Sequence, residues 1–252
     1  MIIDVRHAAL TYQSPDGEVG ALKDVSFGVD TGEFVSIVGP SGCGKSTLLS
    51  LIAGLEAPSS GEIYVDGELV TKPSPKVGLM PQRDQLFPWR TIMSNALLGP
   101  EIRKESISEA RERVAELMSR YALDGFADKM PAQLSGGMRQ RCALIRTLAS
   151  RPDILLLDEP FSALDYQTRL AVSDDIFRII RQEHKTALLV THDISEAISM
   201  SDRVIVLSHR PAVVKAIHTL ENYRELSPIQ RRNMPTFSGI FNEIWKELDV
   251  NV

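Results

Sequence analysis

The sequence predicts an α/β chain, and three observations carry that expectation. Beyond residue 150, short apolar runs alternate with amphipathic stretches: "DILLLDEP", "QTRLAVSDDIFRIIRQEH", "TALLVTHD", "ISEAISMS" and "RVIVLS" follow one another. Strands alternating with helices imply a parallel sheet. Residues 1–38 instead read as short strands with turn punctuation: "VRHAALTYQ", "SPDGEVG", then "KDVSFGVDTGEFVSIV", rich in β-branched and aromatic residues. Residues 91–150 change character again, and "SISEARERVAELMSRYAL" places apolar residues at helical spacing.

Taken in order, the N-terminal strands predict an antiparallel β subdomain, and "EFVSIV" a buried strand. "TLLSLIAGL" (47–55) predicts a helix ending near Gly54. "SSGEIYVDGELV" predicts a hairpin turning at Asp66-Gly67, and "KVGLM" a short strand. Residues 91–150 form a helical subdomain in which Ser106 and Glu109 resemble a capping box. The expected organisation is one domain over 1–208, followed by a short extension, 209–252, packed on it and ending in the amphipathic helix "FSGIFNEIWKEL". No repeat or low-complexity tract interrupts it.

Composition bounds the function classes. The chain has 252 residues, 43% hydrophobic and 24% charged, as in an ordinary globular protein with a substantial core. A net charge of −5 argues against nucleic acid as a partner. Cys43 and Cys142 lie far apart, and Cys43 sits inside a glycine-rich loop, so both read as free thiols in a reducing compartment. The start, "MIIDVRHAAL", does not read as a signal peptide. The longest apolar runs, "ILLL" at 154–157 and "ALLV" at 187–190, suit core strands and are far too short to cross a bilayer.

Chemistry concentrates in three places. "GPSGCGKST" (Gly39, Pro40, Ser41, Gly42, Cys43, Gly44, Lys45, Ser46, Thr47) lies between an expected strand and an expected helix and matches the phosphate-loop pattern. Its glycines let successive backbone N–H groups turn toward an oxyanion, and the helix adds its unpaired N–H groups and positive dipole end. Lys45 would reach the β- and γ-phosphates and Ser46 would hold Mg²⁺. "ILLLDEP" ends a buried strand in two acids, at the edge of a parallel sheet where ligands bind. Asp158 can order Mg²⁺, while Glu159 faces differently and can polarise a water. "LSGGM" opens a helix, with Ser135 as cap and Gly136 and Gly137 leaving its N–H groups approachable, a second anion site in one chain.

The ordered set "GPSGCGKST", Gln82, "LSGGMRQR", "ILLLDEP", "SALD" (162–165) and His192 in "VTHD" resembles the ATP-binding subunits of ABC transporters over about residues 2–208. That resemblance implies a phosphate-loop ATPase using ATP and Mg²⁺. It assigns adenine stacking to Tyr12, approach to Mg²⁺ and the attacking water to Gln82, γ-phosphate contact to His192, and contact with an opposing subunit to Asp165. Met138 stands where the family usually has Gln, and Pro81 directly precedes Gln82. The signature helix is separated from the chain's own phosphate loop by a whole helical segment. The family solution is a head-to-tail dimer in which each ATP lies between one subunit's Lys45 loop and the other's Ser135 loop, held closed by contacts to the γ-phosphate.

The resemblance further implies a separate membrane permease, an extracytoplasmic solute-binding protein and residence at the cytoplasmic face of the membrane. "LFPWRT" and "LSHRPAVV" are similar to the nitrate, sulfonate and taurine importer branch. Phe87, Trp89 and Ile92 would form an apolar docking surface for the permease; the alternative is that Phe87 and Trp89 pack within the helical subdomain. A split exporter or lipid-transfer system, a soluble ABC ATPase and a phosphate-loop kinase are the alternatives. The last would leave "LSGG" and His192 without a role.

Overall fold

The computed structural model describes residues 1–15, 17–220, 223 and 226–248. Strands β1 (Ile3–Ser14), β2 (Gly17–Val29), β4 (Ser60–Val65) and β5 (Glu68–Leu69) pair antiparallel in the order β5-β4-β1-β2. Asp66 and Gly67, with φ of 50° and 75°, turn the β4–β5 hairpin where the sequence placed it. Strands β3 (Phe34–Val38), β6 (Val77–Met80), β7 (Ile154–Asp158), β8 (Thr186–Thr191) and β9 (Arg203–Leu207) run parallel in the order β9-β3-β8-β7-β6. Every residue of "FVSIV" and "TALLVT" is buried, as expected of parallel strands covered on both faces.

One strand joins the two systems. β10 (Ala212–Thr219) pairs antiparallel with β9 and parallel with β2, closing a ten-stranded sheet. Position 208 therefore falls inside the β9–β10 hairpin, and the stretch beyond it supplies an interior strand as well as α8 (Pro228–Arg232) and α9 (Phe237–Glu247).

The helices are α1 (Lys45–Ile52), α2 (Ile92–Ala96), α3 (Leu98–Ile102), α4 (Ile107–Arg120), α5 (Gly136–Ala149), α6 (Tyr166–Gln182) and α7 (Ile194–Met200). α2 to α5 make up the helical segment, and the inward faces of α2, α4 and α5 join Phe161, Ile176 and Leu189 in one apolar cluster. A second cluster fills the space between the antiparallel strands, α1 and the parallel sheet. A third holds α7 and α9 against β9 through Ile198, Val204 and Ile244.

Two local expectations differ. Ser106 precedes α4 but its hydroxyl makes no cap bond, so the Ser106–Glu109 capping box does not form. Ile92 is fully buried in the helical cluster. Thr91 caps α2 by accepting from the Ser94 N–H, and this turns the following isoleucine inward. Only Phe87 and Trp89 are left of the expected surface trio; they stack with centroids 5.1 Å apart, and Trp89 is 72% exposed.

Candidate active site

The sheet sets out the site. The phosphate loop follows β3, His192 follows β8, Asp158 and Glu159 close β7, and Gln82 follows β6. These four strands are consecutive neighbours, β3-β8-β7-β6. Their ends are in register: Val38 lies beside Thr191, Val190 beside Asp158, and Leu157 beside Met80. Segments 39–47, 82, 158–159 and 192 thus meet at one sheet edge, although they are up to 153 positions apart.

Gly42 and Gly44 take φ of 73° and 111°, the left-handed region. A side chain at Gly44 would also strike Leu22 Cδ2 at 2.9 Å and the Ala21 carbonyl at 3.1 Å. Lys45 is 5% exposed, and its Nζ donates to the carbonyls of Gly39 at 2.9 Å and Pro40 at 3.0 Å. The cation is thereby held against its own loop. Cys43 is buried and burial pushes its thiol pKa up, so only its backbone can serve a ligand. Cys142 is likewise a buried free thiol.

The two acids separate as their adjacent positions require. Asp158 Oδ1 accepts from the Ser46 hydroxyl at 2.9 Å. Burial raises the Asp158 pKa; the Ser46 bond lowers it, Glu159 adds to the rise, and Lys45 opposes it. Glu159 has φ of 44°, strained for a non-glycine residue. Its N–H donates to the Val190 carbonyl at 2.8 Å, while Oε2 lies 3.0 Å from His192 Nδ1 and accepts from Gln82 Nε2 at 3.3 Å. One carboxylate therefore belongs to Ser46 and the other to the His192–Gln82 pair.

A cleft of about 420 Å³ is lined by Tyr12, Ser41, Gly42, Gly44, Lys45, Ser46, Thr47, Gln82 and Glu159. Tyr12 is 40% exposed, and its hydroxyl donates to Glu56 Oε2 at 2.7 Å. Desolvation, before the Glu56 bond, raises its pKa. Sequence reasoning did not assign Val19, Ala21 or Arg210 to the cleft, yet all three line it. Arg210 arrives from the β9–β10 turn; its signal was the "LSHRPAVV" stretch, which carries no site chemistry by itself.

Ser135, Gly136 and Gly137 do not line this cleft. Ser135 is exposed and caps α5 by accepting from the Met138 N–H. The glycines allow close packing: a Cβ at Gly136 would lie 2.9 Å from Leu164 Cδ2, and one at Gly137 2.7 Å from Val172 Cγ2. Asp165 caps α6 by accepting from Thr168.

Behind His192 lies Glu196, 3% exposed, with its carboxyl pushed up to about 7 by burial. Asp193 adds to the rise, while Thr191, Arg169 and Arg232 oppose it. Because the folded state holds this proton above the ordinary carboxylate range, stability should fall as pH rises from about 4.5 to about 7 and then level off. Glu196→Gln is expected to flatten that slope, an effect of up to about 3 kcal/mol. Thermal melts between pH 5 and 8 read this directly; parallel pH dependences for parent and variant would show that Glu196 does not hold the proton.

A concave strand-edge cradle with inward-turned glycines, an enclosed lysine and two acids with separate partners is the arrangement of a phosphate-loop nucleoside triphosphatase. The comparisons with known proteins are more particular: residues 22–162 match the family described as ABC transporter, and the chain belongs to its ATP-binding subunits, which are ATPases. It is 44% identical to the uncharacterized ABC transporter ATP-binding protein YtlC of Bacillus subtilis (strain 168), over 98% of this chain and 95% of that one. It is 37% identical to the aliphatic sulfonates import ATP-binding protein SsuB of Bacillus cereus (strain ZK / E33L), over 99% and 96%. Among solved structures, the dimeric, ADP- and Pi-bound post-hydrolysis state of the ATP-binding cassette MJ0796 superimposes with a TM-score of 0.74 at 34% identity, covering 87% of this chain and 99% of that one. Among the described residues, no helix is long and apolar enough to cross a membrane.

Proposed function

We propose that this chain hydrolyses ATP to drive import of a small anion or organic solute, such as a sulfonate, taurine or nitrate, through a separate permease fed by a solute-binding protein. The chain would sit at the cytoplasmic face of the membrane. The observation that carries the ATPase step is the separation of Asp158 from Glu159, one bonded to Ser46 and the other facing His192 and Gln82. The likeness to an aliphatic sulfonates import protein supports the solute class.

In this reading the adenine stacks on Tyr12, and the backbone N–H groups of 39–47 cradle the phosphates with Lys45 against the β- and γ-groups. Among the described residues, no set of three His, Cys, Asp or Glu side chains could hold a metal ion. The Ser46 hydroxyl and the Asp158 carboxylate are nonetheless hard oxygen donors at one spot, which fits Mg²⁺ held jointly by protein and phosphates. Ser46, Asp158 and Gln82 would hold the ion, which when bound neutralises charge on the phosphates. Glu159 takes the proton of the attacking water as the water oxygen bonds to the γ-phosphorus and the bond to the β-phosphate oxygen breaks. His192 holds the Glu159 carboxylate and faces the γ-phosphate. The exposed Trp89–Phe87 stack is the proposed permease contact.

Ser135, Gly136 and Gly137 act on the nucleotide of a second subunit. Ser135→Arg should leave ATP binding by the single subunit intact and abolish ATP-dependent dimerisation, because a bulky cation fills the space meant for the partner's γ-phosphate. Calorimetry and sedimentation separate the two effects; a variant that dimerises and hydrolyses normally overturns the composite site. For the solute, a strain lacking this chain is grown on a sulfonate, taurine or nitrate as sole sulfur or nitrogen source. A defect confined to one of them supports import, and undiminished growth on all of them removes this solute class.

A further inference from the structure

Beside the nucleotide cleft lies a second and larger one, of about 800 Å³ and largely apolar. Pro40 and Ser41 of the phosphate loop, His192 and Ser195 form one wall, and Phe241 and Trp245 of α9 form the other. The two rings stack with centroids 6.0 Å apart, and Trp245 is 41% exposed. Ser41 borders both clefts, so the nucleotide site and this groove form one continuous face. Elsewhere on the chain, Tyr166 is 67% exposed at the start of α6, directly after the Asp165 cap. Its segment packs beside the signature turn: Gly136 lies against Leu164, and Gly137 against Val172 and Thr168.

These two continuities fix a consequence of the composite site, and the inference rests on that reading. A second copy that brings its signature turn onto this chain's nucleotide must bring its Leu164–Thr168 segment along, because glycine-mediated contacts lock the two together. The receiving face next to the nucleotide is the groove. We propose that the groove is the seat for Tyr166 of the partner subunit, so that α9 extends the ATP-dependent interface between two copies of this chain. A phenol suits the site. Its ring meets Phe241, Trp245 and Ile194, and its hydroxyl finds polar partners at the rim in Ser195 and His209. By two-fold symmetry each subunit gives one tyrosine and receives one. The C-terminal helix thereby acquires a role beyond packing: it stabilises the closed dimer and makes closure sensitive to changes at α9.

The chain has two tryptophans, so Trp89→Phe leaves Trp245 as the sole reporter. In a Glu159→Gln, Trp89→Phe background, iodide quenching of Trp245 and sedimentation are followed with ATP–Mg²⁺ and with ADP. The expected result is a dimer with ATP only, with Trp245 shielded from iodide in it. Adding Tyr166→Ser, at an exposed position, should restore quenching and raise the protein concentration needed for half-dimerisation about a hundredfold, because two-fold symmetry removes two aromatic anchors at about tenfold each. A dimer in which Trp245 is quenched as in the monomer overturns the groove's role and leaves the composite site standing. Shielding that survives Tyr166→Ser, or that appears only with a permease present, overturns the choice of occupant. If no ATP-dependent dimer forms in the parent background, the composite site fails and this inference with it.

Discussion

A Lys45→Ala subunit is expected to bind ATP at least tenfold more weakly and to turn it over about 10²–10³-fold more slowly. The first figure follows from losing a hydrogen-bonded charge of roughly 1.5–3 kcal/mol, the second from losing a pre-aimed cation where negative charge develops. Lys45 is 5% exposed and already fixed by the Gly39 and Pro40 carbonyls, so little ordering remains to be done when phosphate arrives. Alanine removes that cation and takes from the Gly39 and Pro40 carbonyls the donor that Lys45 gives them. Calorimetry with ATP and a phosphate-release assay read the two effects, and a melting curve checks that the variant folds. Unchanged affinity and turnover in a folded variant would remove the phosphate-loop assignment.

The sequence made the strand-edge geometry legible because each piece is local. An apolar run ending in Asp158-Glu159, a glycine loop ending in Lys45-Ser46 and a run ending in His192 all place polar groups at strand ends, and parallel pairing then aligns them without further information. What was not legible depends on pairing across long distances. β10 reads "AVVKAIHT" with alternate residues partly exposed, and it follows the punctuation of "SHRP". Nothing local says that it enters the sheet beside β2, some 190 residues earlier, so position 208 looked like a boundary. Arg210 entered the cleft for the same reason. Ile92 was misplaced because the inward turn depends on the Thr91 cap, and Ser106 because a hydroxyl in the right place need not turn toward the helix. The placement of Ser135, Gly136 and Gly137 outside the chain's own cleft, with Ser135 exposed, is visible only in the fold, and it gives the dimer reading its physical basis.

The sharpest test lies at the end of β7, where two adjacent carboxylates are assigned different work. Glu159→Gln keeps the size and one oxygen of the side chain, so the contacts with His192 and Gln82 can persist, but it removes the base. A positioned general base contributes roughly 10²–10⁴ in rate, and turnover should fall by about that much. Nucleotide binding should survive, because Lys45, Ser46 and Asp158 are untouched. With the γ-phosphate retained, contacts across to the Ser135 loop of a second copy persist, and the closed dimer should accumulate. Sedimentation with ATP–Mg²⁺ would then show a species of twice the 27.9 kDa chain mass that is absent with ADP. Asp158→Asn should behave differently. It leaves the Ser46 hydroxyl beside a neutral amide and removes the only charge in the proposed Mg²⁺ donor set, so ATP affinity should lose its dependence on Mg²⁺ and little dimer should form. The strain at Glu159 separates these outcomes physically: a φ of 44° turns residue 159 toward His192 while residue 158 stays on the strand beside Ser46. Should the two variants prove indistinguishable, or Glu159→Gln hydrolyse ATP at the parent rate, the division of labour between these carboxylates is wrong.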